Sequence, residues 1–140
     1  MKTHHRSRAR EIALQALYRR DLNAATSDAE LDAFLEARLR TAAMVAFARS
    51  LVAGVKEHRG ELDSLLDARS ENWRLSRMAA TDRAILRIGA YELLHTDVPG
   101  PVAVDEAIEL AKRYGTDGSG RFVAGILGRL LADRAPTAGG

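Results

Sequence analysis

The chain has 140 residues, of which 46% are hydrophobic and 29% charged, a balance that suits one packed domain and excludes general disorder. It has no cysteine, which excludes a disulfide scaffold, a thiol nucleophile and cysteine-ligated zinc or iron–sulfur centres. The net charge of +2 divides into +5 over residues 1–20, −4 over 21–73 and +1 over 74–140, so a basic head sits on a near-neutral body and points to a polyanionic partner met at one end.

The spacing predicts helices throughout. Ala9, Ile12, Ala13, Ala16 and Leu17 share one face of a first helix from about Ser7 to Asn23. Residues 24–27 form a loop, and Ser27 or Asp28 caps a second helix over about Asp28–Leu39, with Leu31, Phe34, Leu35 and Leu39 apolar. Thr41 caps a third over about Ala42–His58, with Val45, Ala48, Val52 and Val55 in register. Gly60 breaks the chain before a short fourth helix, about Glu61–Ala68, which turns Leu62, Leu65 and Leu66 inward. Residues 70–76 are polar, hold the only tryptophan, Trp73, and read as a connector between an N-terminal and a C-terminal half.

A fifth helix runs from Met78 or Thr81 to His95. Its Gly89, unfavourable by about 1 kcal/mol against alanine in a helix interior, marks a close helix approach. Asp97-Val98-Pro99-Gly100-Pro101 is a helix stop. The sixth helix covers about Val102–Tyr114, with Gly115 suited to its C′ position. The seventh covers about Ser119–Asp133, with Val123, Ile126, Leu127, Leu130 and Leu131 apolar, and residues 135–140 form a loose tail. No strand pattern or hairpin turn signal survives beside these. The fold class is all-α: about seven helices in one domain, residues 1–134.

Three groups of residues bear on function. Arg6, Arg8 and Arg10 line the entry to the first helix; arginine presents a planar fork of donors to phosphates and stacks on bases. The competing reading is a solvated terminus. In Gly115-Thr116-Asp117-Gly118-Ser119-Gly120-Arg121-Phe122, glycines loosen the backbone just before a helix, whose N-terminus favours anions. Arg121 adds charge there, and Phe122 offers a stacking face. No Gly-Lys-Ser/Thr follows, so this is no Walker loop. From spacing alone Phe122 reads better as core, one residue before the Val123 face. Arg83 and Arg87, one turn apart on the fifth helix, either extend a basic stripe or pair with acids such as Asp82.

Catalytic signals are weak. Asp105, Glu106 and Glu109 lack the Glu-x-x-His pairs of a di-iron bundle. His58 and His95 sit near helix C-termini with no evident triad partner, and His4 and His5 are too few for a metal tract. The sequence points to no cofactor, no metal and no catalytic residue. No apolar run reaches membrane-span length, no apolar segment of a secretory signal follows the basic start, and the lack of thiols fits a reducing compartment, so a cytoplasmic location is expected.

Several strings then become recognisable: Arg8-Ala9-Arg10-Glu11 with Gln15-Ala16-Leu17-Tyr18, Asp82-Arg83-Ala84-Ile85-Leu86-Arg87-Ile88 with Ala90-Tyr91-Glu92-Leu93, Asp105-Glu106-Ala107-Ile108-Glu109-Leu110-Ala111-Lys112, and Phe122-Val123-Ala124-Gly125-Ile126-Leu127. Together they resemble the NusB family of bacterial transcription antitermination factors, over residues 6–132. The resemblance implies two packed helical halves and a non-enzymatic adaptor. It implies pairing with a small-subunit ribosomal protein, NusE, and binding of the single-stranded boxA element of ribosomal RNA leader transcripts. That complex would act on RNA polymerase to promote read-through and would aid ribosomal RNA maturation. On the matching positions, Arg6, Arg8 and Arg10 would contact phosphates, Phe122 would contact a base, and Ser119 would lie in the same RNA site. Tyr18 and Asp82 would face NusE. Ser7 and Gly118 depart from residues seen in some members. Two other readings stand beside this one: a helical interaction scaffold, including a homodimer, and a targeting module like those fused to ribosomal RNA cytosine methyltransferases, here without a Rossmann-type segment or a cysteine nucleophile.

Overall fold

The computed structural model describes the backbone of residues 3–139 and the side chains of residues 4–134; Lys2 of the basic head, and the tail expected over 135–140, fall outside the residues whose side chains are described. Seven α-helices follow one another: α1 (Thr3–Leu22), α2 (Asp28–Arg38), α3 (Ala42–Glu57), α4 (Arg59–Arg69), α5 (Ala80–His95), α6 (Gly100–Tyr114) and α7 (Ser119–Gly139), with a 3₁₀ turn at Leu75–Arg77. No strand occurs among the described residues, and the all-α class read from the sequence holds. The chain forms two compact units, Met1–Glu57 and His58–Gly140. The division falls ahead of α4, not in the polar connector. The physical reason is that α4 buries Leu62 and Leu66 and packs on α5 and α7.

In the first unit α1 packs on α3 and α2, and α2 on α3. The apolar stripe of α1 is buried as its spacing requires, Ala9, Ala13 and Ala16 completely. The helix starts earlier than Ser7 because its first turns have a tertiary partner: the Arg6 guanidinium lies over the Phe47 ring of α3, 4.9 Å from its centroid. Ser27 caps α2 by accepting from the Glu30 N–H at 3.0 Å, and Thr41 does the same for Met44 at 3.1 Å. Asp28 accepts from Lys56 at 2.8 Å and from Arg20 at 2.5 Å; these two bonds hold its carboxyl below the ordinary value. Arg49 does the same for Asp32, and is itself held more basic in return.

In the second unit α5 is the central helix, packing on α4, α6 and α7. Every residue from Ala84 to Ala90 is buried, the pattern of a helix enclosed on all sides. At Gly89 a Cβ would lie 2.5 Å from Leu127 Cδ1, so the missing side chain is what lets α5 and α7 approach. The proline-rich stop between α5 and α6 is also a start. Pro99 is the N-cap residue of α6, and Pro101 falls in its first turn, where a missing N–H is harmless. Gly60, expected to break the chain, lies inside the first turn of α4. Trp73 is 55% exposed.

Candidate nucleic-acid interface

The arginines at the start of α1 have different surroundings. Arg6 and Arg8 are exposed. Arg8 Nη1 lies 3.9 Å from Glu11 Oε2, a loose ion pair. Arg10 is 2% exposed, with its guanidinium 5.1 Å from the Phe47 ring centroid. Phe47 thus lies under both Arg6 and Arg10, a partner the sequence did not single out. Tyr18, further along α1, is exposed. The first unit also carries a recess of about 690 Å³ lined by Arg20, Asp28, Asp32, Arg49 and Lys56 among others. Its cations are bonded to its own carboxylates, so it offers little unbalanced charge to a ligand.

In the second unit the segment ahead of α7 is a tight, internally bonded turn. Gly115 ends α6 in an extended conformation, its N–H donating to Ala111 O. The left-handed position is Gly118, with φ 89°, the conformation that favours glycine. Ser119 is 3% exposed. Its hydroxyl accepts from the Thr116 N–H at 3.0 Å and donates to Asp82 Oδ2 at 3.3 Å. A Cβ on Gly115 would lie 2.5 Å from Ser119 Oγ, so Gly115 makes room for this bonding. Asp82 Oδ1 is buried and has no hydrogen-bond partner among the described residues. Arg121 is exposed and Phe122 half-buried at the start of α7, and the Phe122 N–H donates to Gly118 O at 2.9 Å. Phe122 is thus neither fully core nor fully exposed, between the two readings its spacing allowed.

Arg83 and Arg87 both serve the second unit's own structure. Arg83 Nη1 reaches the carbonyl oxygens of Leu75, Ser76 and Met78, the last at 2.9 Å. Arg87 makes a two-pronged bond to Asp63, at 2.8 and 3.0 Å, with 7% of its side chain exposed. Of their two sequence readings, pairing within the protein describes what each guanidinium touches, although Arg87 pairs with Asp63 of α4 and not Asp82. The described residues include no helix long and apolar enough to cross a membrane.

The NusB family model matches residues 7–132. The chain is similar to the transcription antitermination protein NusB of Anaeromyxobacter dehalogenans, with 46% identity over 96% of this chain and 95% of that one. It is 43% identical to the Bacillus subtilis protein of the same name, over 91% and 95%. Among solved structures, T. maritima NusB superposes with a TM-score of 0.82 and 39% identity, covering 94% of this chain and 93% of that one. A chain in a crystal structure of the antitermination factors NusB and NusE in complex with double-stranded RNA shares the fold, with a TM-score of 0.84 and 24% identity over 94% and 99%.

Proposed function

The chain belongs to the NusB family, and on that premise we propose that it is a non-enzymatic RNA-binding adaptor in transcription antitermination. It pairs with the ribosomal protein NusE, binds the boxA element of ribosomal RNA leader transcripts and acts on the elongating RNA polymerase, with a further role in ribosomal RNA maturation. Its site of action is the cytoplasm. The observation that carries this reading is similarity along nearly the whole chain to curated antitermination proteins.

The chemistry supports it in each unit separately. In the first, Arg6 and Arg8 present guanidinium groups at the surface, suited to RNA phosphates and to a salt-dependent share of affinity. Arg10, being buried, contributes by holding Phe47 and the arginine-rich turn in place. In the second, the half-buried Phe122 stacks on an unpaired base beside the cationic Arg121. Ser119 shapes that turn through its bonds to Thr116 and Asp82. Arg83 and Arg87 support the same unit from within. Tyr18, exposed on α1, and Asp82, half-buried in the first turn of α5, are the residues that face NusE.

The test is a titration of fluorescent boxA-type RNA, with the protein alone and with NusE, against a scrambled single strand and a duplex. Selective binding that tightens with NusE is the expected result. Equal weak binding to all three RNAs, with and without NusE, overturns the RNA reading.

A further inference from the structure

Two of the four histidines meet a glutamate in the second unit. His58 immediately precedes α4, Glu61 lies in the first turn of α4, and His95 is the last residue of α5. His95 Nε2 is 2.6 Å from Glu61 Oε1, and His58 Nδ1 is 3.6 Å from the same oxygen. The three donor atoms lie within 4.8 Å of one another. The two imidazoles stack, with centroids 3.9 Å apart and planes 16° from parallel. The Tyr91 ring flanks both, at 5.9 and 5.7 Å.

From this arrangement we infer that His58, Glu61 and His95 form a binding site for a divalent transition metal of the zinc type. Two imidazoles and a carboxylate are a familiar ligand set for zinc, with water completing the tetrahedron. Such a tetrahedron, with metal–ligand bonds of about 2.0 Å, has edges of about 3.3 Å. The distances of 2.6 and 3.6 Å lie on either side of that value. Closing the site requires the near-parallel rings to fan apart so that their lone pairs converge. Glu61 and His95 are exposed and His58 is half-buried, so the side chains have room to do so. A Glu61–His95 hydrogen bond engages two of the three donor atoms, whereas one metal ion would engage all three. The ion is a structural clamp. It ties the start of α4 to the end of α5, and its water faces solvent, not a substrate cleft. The inference does not depend on RNA binding.

The experiment uses the full chain, stripped of metal. Zinc is titrated in competition with a chromophoric chelator, and cobalt is added in parallel for its visible absorption bands. One equivalent of zinc should bind and raise the thermal midpoint, and cobalt should give the intense bands of a tetrahedral site. His95→Gln and His58→Gln should each weaken zinc by at least about tenfold, the scale for damaging a metal's ligand shell, while circular dichroism shows the fold retained. A His4→Gln/His5→Gln variant should bind as the parent does, and magnesium, which prefers an octahedron of oxygens, should not compete. No binding by the parent, binding lost in the His4/His5 variant but not in the His95 variant, or equal competition by magnesium would each overturn the site.

Discussion

Arginines cluster on both α1 and α5, and the two helices use them in opposite ways. On α1, Arg6 and Arg8 stay at the surface, with an aromatic face and a loosely held glutamate for company. On α5, Arg83 is bonded to three backbone carbonyls and Arg87 is locked to Asp63. Residue type is alike; what differs is whether the surrounding unit supplies acceptors. A guanidinium with acceptors inside its own unit stabilises that unit, and one left at the surface retains donors for a ligand. Arg10 shows that the distinction runs residue by residue, since it is buried on the helix that exposes Arg6 and Arg8.

The contrast can be broken hardest at Arg87. Arg87→Ala should destabilise the protein by about 3 kcal/mol, the lower end of the range for breaking a buried pair, because Asp63 keeps 30% of its side chain exposed. A lower urea midpoint with an unchanged slope is the expected signature. An unchanged midpoint would place Arg87 with the surface arginines. Next in size, Phe122→Ala should weaken RNA binding by about 1–3 kcal/mol, the usual loss of a stacking partner, as read by fluorescence anisotropy on a folded variant. The sharper arm of the comparison is smaller. Arg6→Ala and Arg8→Ala should each flatten the log–log salt dependence of RNA affinity by about 0.7, and should leave stability within about 0.5 kcal/mol.

Smallest of all is the pH response of the first unit's carboxylates. The bonds from Lys56 and Arg20 lower the Asp28 carboxyl in the folded state, so the stabilisation they bring is complete above the unfolded carboxylate range, about pH 3.9. It is lost as pH falls through the lowered folded value. Asp28→Asn should therefore lower the thermal midpoint slightly at neutral pH and flatten its fall in acid, so that the two curves converge as pH drops.

Much of this organisation was legible in the sequence. The stripe Ala9, Ile12, Ala13, Ala16 and Leu17 is buried as its period requires, and Ser27 and Thr41 cap the helices they precede. The boundaries that slipped did so at helix N-termini, where the first turn accepts residues that would interrupt a helix interior. Gly60 was expected to break the chain but sits in the first turn of α4, where the helix N-terminus tolerates it, and Pro101 was assigned to a stop although its ring suits the opening of α6. The surroundings of the candidate site residues were less legible. Nothing in the spacing of Arg83 distinguishes three nearby carbonyls from a phosphate. The pairing of Arg87 with Asp63, and the meeting of His58 with His95, depend on how α4 lies against α5. Helical periodicity says which face is apolar but not which distant residue will stand opposite a polar one.

The exposure of Trp73 determines what light can report about this protein. The single indole is already largely in water in the folded state, so its emission should begin near the wavelength of the unfolded chain and shift little on denaturation. Unfolding is therefore better followed by circular dichroism than by tryptophan fluorescence. The same property makes the indole a quiet background against which docking stands out. A partner that covers residues 70–76 would move Trp73 from water to a less polar surrounding, and the blue shift would register that event without an added dye.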